Sequence, residues 1–208
     1  MTIRLYRHPL SGHAHRAQLM LSLLQLPFEM VEIDLARGEQ KQPPHLARNP
    51  FGQIPVLEDG DVTVADSNAI LVYLATRYDA SGRWLPRDAA LAAQVQRWLS
   101  VAAGPLLNGP ATARVEVVFG RPRDPARHGV AARLFEVMEQ HLRFQPFLVG
   151  AEATIADLAL YTYTSHAPEG GVPLAPYPHL RAWLSRIEAL PGFVGMQRSP
   201  DAAAAITS

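Results

Sequence analysis

The sequence predicts two parts in one chain: an α/β unit on a mixed four-stranded sheet over residues 1–82, then an all-helical unit over residues 83–208. Three observations lead there. Short β-type runs alternate with helical ones up to Tyr78. Beyond Pro86 no convincing pair of strands follows, and apolar residues recur at helical spacing instead. The 208 residues, 48% of them hydrophobic, suffice for one large core or two small ones.

The elements follow in order. IRLYRH, Ile3 to His8, reads as a strand, and Ala14 to Leu26 as a helix stopped by Pro27. FEMVEIDL, Phe28 to Leu35, alternates with period two and reads as a strand; a polar stretch with Pro43 and Pro44 follows. Ile54 to Asp66 is a hairpin whose apolar residues flank an Asp-Gly-Asp turn. Ser67 to Tyr78 is a helix with serine as its N-cap. Strand–helix–strand favours a parallel pair, to which the hairpin adds antiparallel strands. In the second part Leu91, Val95, Trp98, Leu99 and Ala102 share a helix face, as do Val130, Leu134, Val137 and His141, and Leu180, Trp183, Leu184 and Ile187. Gly104 to Gly129, rich in Gly and Pro, either breaks a long helix or forms a loop over a pocket. Thr154 and Asp157 spell a capping box, and the alanine-rich tail after Pro200 is expected to fray.

Composition removes several function classes. Nineteen basic and nineteen acidic side chains cancel, so no global field draws the chain to nucleic acid or anionic lipid. No apolar run approaches the roughly 18 residues that span a bilayer, and the start lacks a signal-peptide pattern, so a cytoplasmic location is expected. Cysteine is absent. That rules out disulfides, thiolate metal sites and a cysteine nucleophile; any thiol chemistry must arrive on a ligand.

The stretch HPLSGHAHRAQLML, His8 to Leu21, crowds three histidines around one serine. His13 and His15 point about 200° apart on a helix, which argues against a shared metal, and no metal is expected. Ser11 lacks the Gly-x-Ser-x-Gly elbow of a serine hydrolase. What remains is the polar mouth of a helix that meets a ligand. A second marker is Pro55, which opens an apolar strand. Proline belongs at a strand start, an edge or a bulge, and on composition alone a trans bond is the default.

NPFGQIPVL from Asn49, ADSNAILVYLA from Ala65 and ATIADLALY from Ala153 together resemble the soluble glutathione transferases, in order and spacing over essentially the whole chain. The closest pattern is that of bacterial serine-type enzymes with a phi-like glutathione site. The resemblance implies a thioredoxin-like first domain and a helical second domain that contributes the electrophile pocket. It implies a cis Ile54–Pro55 bond, with the Ile54 backbone clamping the cysteinyl part of glutathione. Asp66 and Ser67 would take the γ-glutamyl ammonium and carboxylate, and Gln53 the same end of the peptide. Lys41 and Gln40 would sit by the glycine carboxylate. Two positions depart from the pattern: Gln40 stands where histidine is frequent, and Asp66 where glutamate is. Ser11, followed five residues later by Arg16, matches the catalytic serine, a donor to the thiolate and not a base.

The remaining polar and aromatic residues carry plainer expectations. His13 reads as an exposed first-turn histidine, with tuning of the site as the alternative, His166 and Glu169 as solvated loop residues, and the tryptophans Trp84, Trp98 and Trp183 as core or domain-interface residues. Phe51 either packs under its own loop or, as the resemblance suggests, inserts into a second subunit. The expected function is transfer of glutathione, a co-substrate, to small hydrophobic electrophiles, with peroxide reduction as a further reaction, by a homodimer. The pocket is expected between the domains, walled by His8, Leu10 and the Gly104–Gly129 region. The alternative is a non-catalytic binding or regulatory module on the same fold; a disulfide reductase would need a cysteine by the first helix.

Overall fold

The computed structural model describes residues 2–200, so the expected frayed tail lies outside the described residues. The first part contains β1 (Ile3–Arg7), α1 (Gly12–Leu23), β2 (Phe28–Glu32), α2 (Pro43–Leu46), β3 (Val56–Asp59), β4 (Val62–Ala65) and α3 (Ser67–Tyr78). The strands form one sheet in the order β2-β1-β3-β4, with β1 parallel to β2 and antiparallel to β3, and β3 antiparallel to β4. Alternation sorts the side chains: Ile3, Leu5 and Leu57 enter the main core with α1 and α3, whereas Tyr6 and Val56 face a smaller cluster with Ile33 on the other side.

Several boundaries differ from the sequence expectation, each for a local reason. Helix α1 ends at Leu23, because Gln25 adopts φ 54° and Pro27 keeps the preceding backbone out of the helical region. Strand β2 ends at Glu32, since the Asp34 carboxylate accepts from the amides of Ala36 and Arg37 and turns the chain. The hairpin ladder begins at Val56 rather than Ile54. The N-cap of α3 is Asp66, whose Oδ1 accepts from the amides of Asn68 and Ala69 at 2.9 Å. Ser67 is the first helical residue and is released for other partners.

The second part comprises α4 (Ala89–Val101), α5 (Thr112–Val118), α6 (Ala126–Leu142), α7 (Ile155–Ser165) and α8 (Pro178–Glu188). Between α4 and α5 the chain does not break. Ala102–Ala111 widens into a π-helical stretch that carries Pro105 and Pro110 inside it. Wider turns accommodate the proline rings and the carbonyls left without a proline N–H, which an α-helix would bring into clash. The Gly/Pro-rich segment is therefore mostly helical, with a loop only between α5 and α6. Helix α6 has two apolar sides. Ala131, Leu134, Phe135 and Met138 are buried, whereas Val130 and Val137, read as sharing one face with Leu134, are exposed, as is Leu91 on α4.

Helix α7 is buried along Ile155–Thr164 and forms the centre of the molecule, against α1, α3 and α4. Its start is held by Asp157. That carboxylate accepts from the Thr154 amide at 2.8 Å, the Leu148 amide at 2.9 Å and Trp183 Nε1 at 2.8 Å. Trp98 and Trp183 are buried in this core, and Trp84 accepts the Ile155 amide on its carbonyl at 2.9 Å. Across the two parts, His15 of α1 bonds Thr162 Oγ1 and the Val194 carbonyl, each at 2.9 Å. The carbonyl must accept, so Nε2 carries the proton and Nδ1 accepts from the threonine hydroxyl.

Two outcomes follow for stability. Asp157→Ala strands four buried donors, the Thr154 hydroxyl included, and unfolding in denaturant should show a loss of about 3–5 kcal/mol. His15 is neutral in the fold, burial having pushed its pKa down to about 4. The unfolded chain takes up a proton near pH 6.5, so this contribution is full above that pH and is lost as pH falls towards about 4. Stability should drop by at most about 1.4 kcal/mol per pH unit from this group over that window. Unfolding measured against pH should show a shallower acid limb in His15→Asn.

Candidate functional site

The site lies at the end of the sheet where β1 stops and α1 and α3 begin. Val56 pairs with both Tyr6 and Ala65, so Pro55, Arg7 and Asp66 lie side by side at that end. The turn after β1 is self-bonded: the Ser11 amide donates to the His8 carbonyl at 3.0 Å and the Leu10 amide to His8 Nδ1 at 3.2 Å. Ser11 is the N-cap of α1, and its Oγ accepts from the Ala14 amide at 3.2 Å. Among the described residues that is the only hydrogen bond of the hydroxyl, so its own proton is uncommitted. The helix N-terminus adds positive potential at the same point.

One turn further on, α1 reaches α3. Arg16 is buried, and its Nη1 donates to Ser67 Oγ at 3.1 Å and to His13 Nδ1 at 3.2 Å, with Asn68 Oδ1 at 3.4 Å. The Ser67 hydroxyl in turn donates to His13 Nδ1 at 3.1 Å. His13 is thus not the exposed residue expected. It is half-buried, stacked edge-on against Tyr163, and burial beside the Arg16 cation pushes its pKa down to about 3. As an acceptor on Nδ1 it is neutral and protonated on Nε2. Arg16 meets no carboxylate among the described residues, and its Nε and Nη2 have no partner. Burial draws its pKa down to about 10, which leaves it charged at neutral pH. Asp66 holds φ 81°, a backbone region costly by about 1–3 kcal/mol for a side-chain-bearing residue, while its carboxylate caps α3.

The other candidates form a second group beside the first. The Ile54–Pro55 bond is cis, and the Ile54 amide and carbonyl lie outside the ladder that begins at Val56. The preceding carbonyl, of Gln53, is already taken by His45 Nε2 and Asn49 Nδ2, both at 2.9 Å. Gln53 itself is exposed. Lys41 is exposed and its Nζ donates to the Phe51 carbonyl at 3.0 Å, crossing Gly52 so closely that a Cβ there would lie 2.8 Å from Nζ. Gln40 sits half-buried on the short turn Glu39–Lys41, with an unpartnered, enclosed Oε1. Phe51, 80% exposed, does not pack under its own loop.

The wall across from this end of the sheet comes from the helical part. Phe119, at the end of α5, lies 5.9 Å from the His8 ring. His166 and Glu169 are the plainest correction to the sequence reading. Both are buried, His166 Nδ1 meets Glu169 Oε1 at 2.7 Å, and Glu169 Oε2 pairs with Arg114 Nε at 2.8 Å. No sequence signal tied Arg114 to residues 55 positions away. Among the described residues no three His, Asp or Glu side chains gather as a metal site would require, and no helix is long and apolar enough to cross a membrane.

Fold and site end together define a two-domain protein, a thioredoxin-like sheet domain followed by a helical one. Residues 1–76 match the family described as Glutathione S-transferase, N-terminal domain, and residues 124–191 that described as Glutathione S-transferase, C-terminal domain. Glutathione S-transferase 3 of Zea mays is 37% identical over 205 residues, 92% of this chain and 91% of that protein. A crystal structure of glutathione S-transferase from Pseudomonas fluorescens superposes with a TM-score of 0.88 at 36% identity, over 95% of this chain and 100% of that one. A glutathione transferase homolog from Drosophila mojavensis, solved with bound glutathione, gives a TM-score of 0.84 at 30% identity, over 91% and 89%. The chain belongs to the glutathione S-transferase family.

Proposed function

We propose that this chain transfers glutathione, as its thiolate, to small hydrophobic electrophiles, and that Ser11 is the hydroxyl that favours the thiolate. One observation carries this reading: Ser11 keeps an uncommitted O–H at the open end of α1, five residues from a buried cation without a carboxylate. A free thiol with a pKa near 8.5 is only a few per cent ionised at pH 7. A hydroxyl donating to sulfur, aided by the helix N-terminus, stabilises the anion, and the proton leaves to solvent. The sulfur then bonds to the electrophilic carbon. In a substitution the leaving group departs with its electron pair; in an addition the resulting carbanion is protonated. Peroxide reduction is a second outlet for the same thiolate: it attacks the terminal peroxide oxygen, an alcohol leaves, and a second glutathione converts the sulfenic acid to the disulfide and water.

The binding roles follow from chemistry. Ser67 and the helix terminus behind it suit the γ-glutamyl carboxylate, with Arg16 as the buried counter-charge. Asp66 suits the ammonium, and Gln53 the same end. The free amide and carbonyl of Ile54, beside Pro55, suit the cysteinyl backbone, and Lys41 with Gln40 the glycine carboxylate. The relative solved with glutathione supports this ligand. The serine type and phi-like pattern are part of the same reading, as is a domain boundary between residues 82 and 83. The electrophile wall is assigned to His8, Leu10 and Phe119, and the location to the cytoplasm.

The assembly proposed is a homodimer. Exposed Phe51 needs an apolar seat, and an open groove of about 580 Å³ lies between α4 and α6, lined by Trp98, Val101, Pro105, Val130, Leu134 and Val137. Phe51 of a second copy is assigned to that groove, which would account for the second apolar side of α6. A non-catalytic module is the competing reading, and turnover with a panel of electrophiles separates the two.

Three measurements test these assignments. Ser11→Ala should raise the pKa of bound glutathione by about one to two units with little change in binding, the scale of one hydrogen bond to a charged group. A difference spectrum of bound thiolate against pH reads it directly, and titration like the parent's removes Ser11 from the reaction. Ser67→Ala should weaken glutathione binding about ten- to a hundredfold by calorimetry. Light scattering should give twice the 22.8 kDa chain mass for the parent, with Phe51→Ala weakening the dimer at least about tenfold.

A further inference from the structure

Behind Ser11 the helical domain grips the turn at two points. Arg114 of α5, 0% exposed, donates from Nη1 to the Leu10 carbonyl at 2.9 Å, across 104 residues of sequence. Its Nε is held at 2.8 Å by Glu169 Oε2, and Glu169 Oε1 takes His166 Nδ1 at 2.7 Å. Close packing leaves this array no slack: a Cβ on Gly170 would lie 2.5 Å from the Arg114 amide nitrogen. The second point is Tyr163 of α7, whose ring lies under Gly12, where a Cβ would come within 2.7 Å. Leu10 and Gly12 are the two neighbours of Ser11.

A buried Arg–Glu pair is weak evidence of stability, because desolvation offsets most of the attraction and an apolar replacement of equal volume is frequently as stable. What such a pair does supply is direction. The remaining hydrogen bonds of the turn are local, from Ser11 and Leu10 back to His8, and do not fix its position relative to the helical domain. The Leu10 carbonyl is a group of the turn that bonds outside it, and Arg114 meets it. Burial works against ionisation of Glu169, but its hydrogen bond from His166 and the Arg114 charge hold its pKa below the usual carboxylate value. The anchor is therefore charged on both sides.

We propose that Arg114, set by Glu169 and His166, is a positioning residue for glutathione activation: it holds the Leu10 carbonyl and thereby the Ser11 hydroxyl in place from the helical domain. This rests on Ser11 being the activating hydroxyl. Arg114 touches neither glutathione nor the acceptor and acts through the turn.

The test uses the full-length chain, with glutathione and one chromogenic electrophile. Arg114→Met keeps the length of the side chain and removes its donors; it should leave glutathione affinity nearly unchanged and raise the pKa of the bound thiol by about half to one unit. Turnover at about pH 6.5 should fall about three- to tenfold, with the loss closing as pH rises. Where Arg114→Met does not fold, the isosteric Glu169→Gln carries the same test, since it removes the negative charge that orients the arginine. Combined with Ser11→Ala, either variant should add no further shift. A folded variant with lowered Tm but the parental thiol pKa makes Arg114 structural only and overturns the proposal. A shift that adds to that of Ser11→Ala means direct action of the Arg114 charge and overturns it as well. An unshifted thiol in Ser11→Ala alone overturns the assignment of Ser11 itself, whatever Arg114 does.

Discussion

Burial of helix α1 is the constraint on which the rest depends. The sheet lies on one side of it, α3 and α7 on others, and eight of its twelve residues are buried. Two of those eight, His15 and Arg16, are polar side chains of some size. Each must find a partner or carry the cost of desolvation. His15 finds a hydroxyl on α7 and a carbonyl beyond α8, which ties the two domains together. Arg16 finds Ser67, Asn68 and His13, which ties α1 to α3.

The ligand site follows from that packing. Drawing the start of α3 against α1 places Asp66 in a strained backbone conformation and turns Ser67 from a cap into a partner of Arg16. The result is a buried, partly unsatisfied positive charge beneath two helix N-termini, the floor of the proposed ligand site. An anionic peptide is the natural complement of such a floor, whereas a neutral ligand would leave the Arg16 charge uncompensated. In the proposed reading the helical part adds Phe119 to the acceptor wall beside His8, so the variable substrate is met partly by a different domain from the constant one.

Most of the fold was legible in the sequence because its signals are local: period-two runs for the strands, the Asp-Gly-Asp turn, helical stripes beyond Pro86, and the Thr154–Asp157 cap. Of the candidate site, the sequence motifs reached the cis Ile54–Pro55 bond and the start of α3 at Ser67, where spacing is preserved. What stayed hidden are partnerships between distant residues. His13 looked exposed because its enclosure is made by Tyr163, 150 positions away. His166 and Glu169 looked solvated because nothing near them announces Arg114. Val130 and Val137 shared a stripe with Leu134, yet periodicity does not distinguish a core face from a second apolar face awaiting another surface.

Helix α5 is only seven residues long, yet Arg114 near its start holds the Leu10 carbonyl while Phe119 at its end rests against His8. The segment that shapes the proposed acceptor wall is thus the same rigid body that steadies the proposed hydroxyl. Diversification of such an enzyme is channelled by this. Exchanging side chains along the wall alters which acceptors fit and leaves the thiol's surroundings intact, whereas moving the helix backbone to enlarge the cleft shifts the serine as well. New acceptor ranges should accordingly evolve through substitutions on a fixed α5 rather than through insertions that displace it.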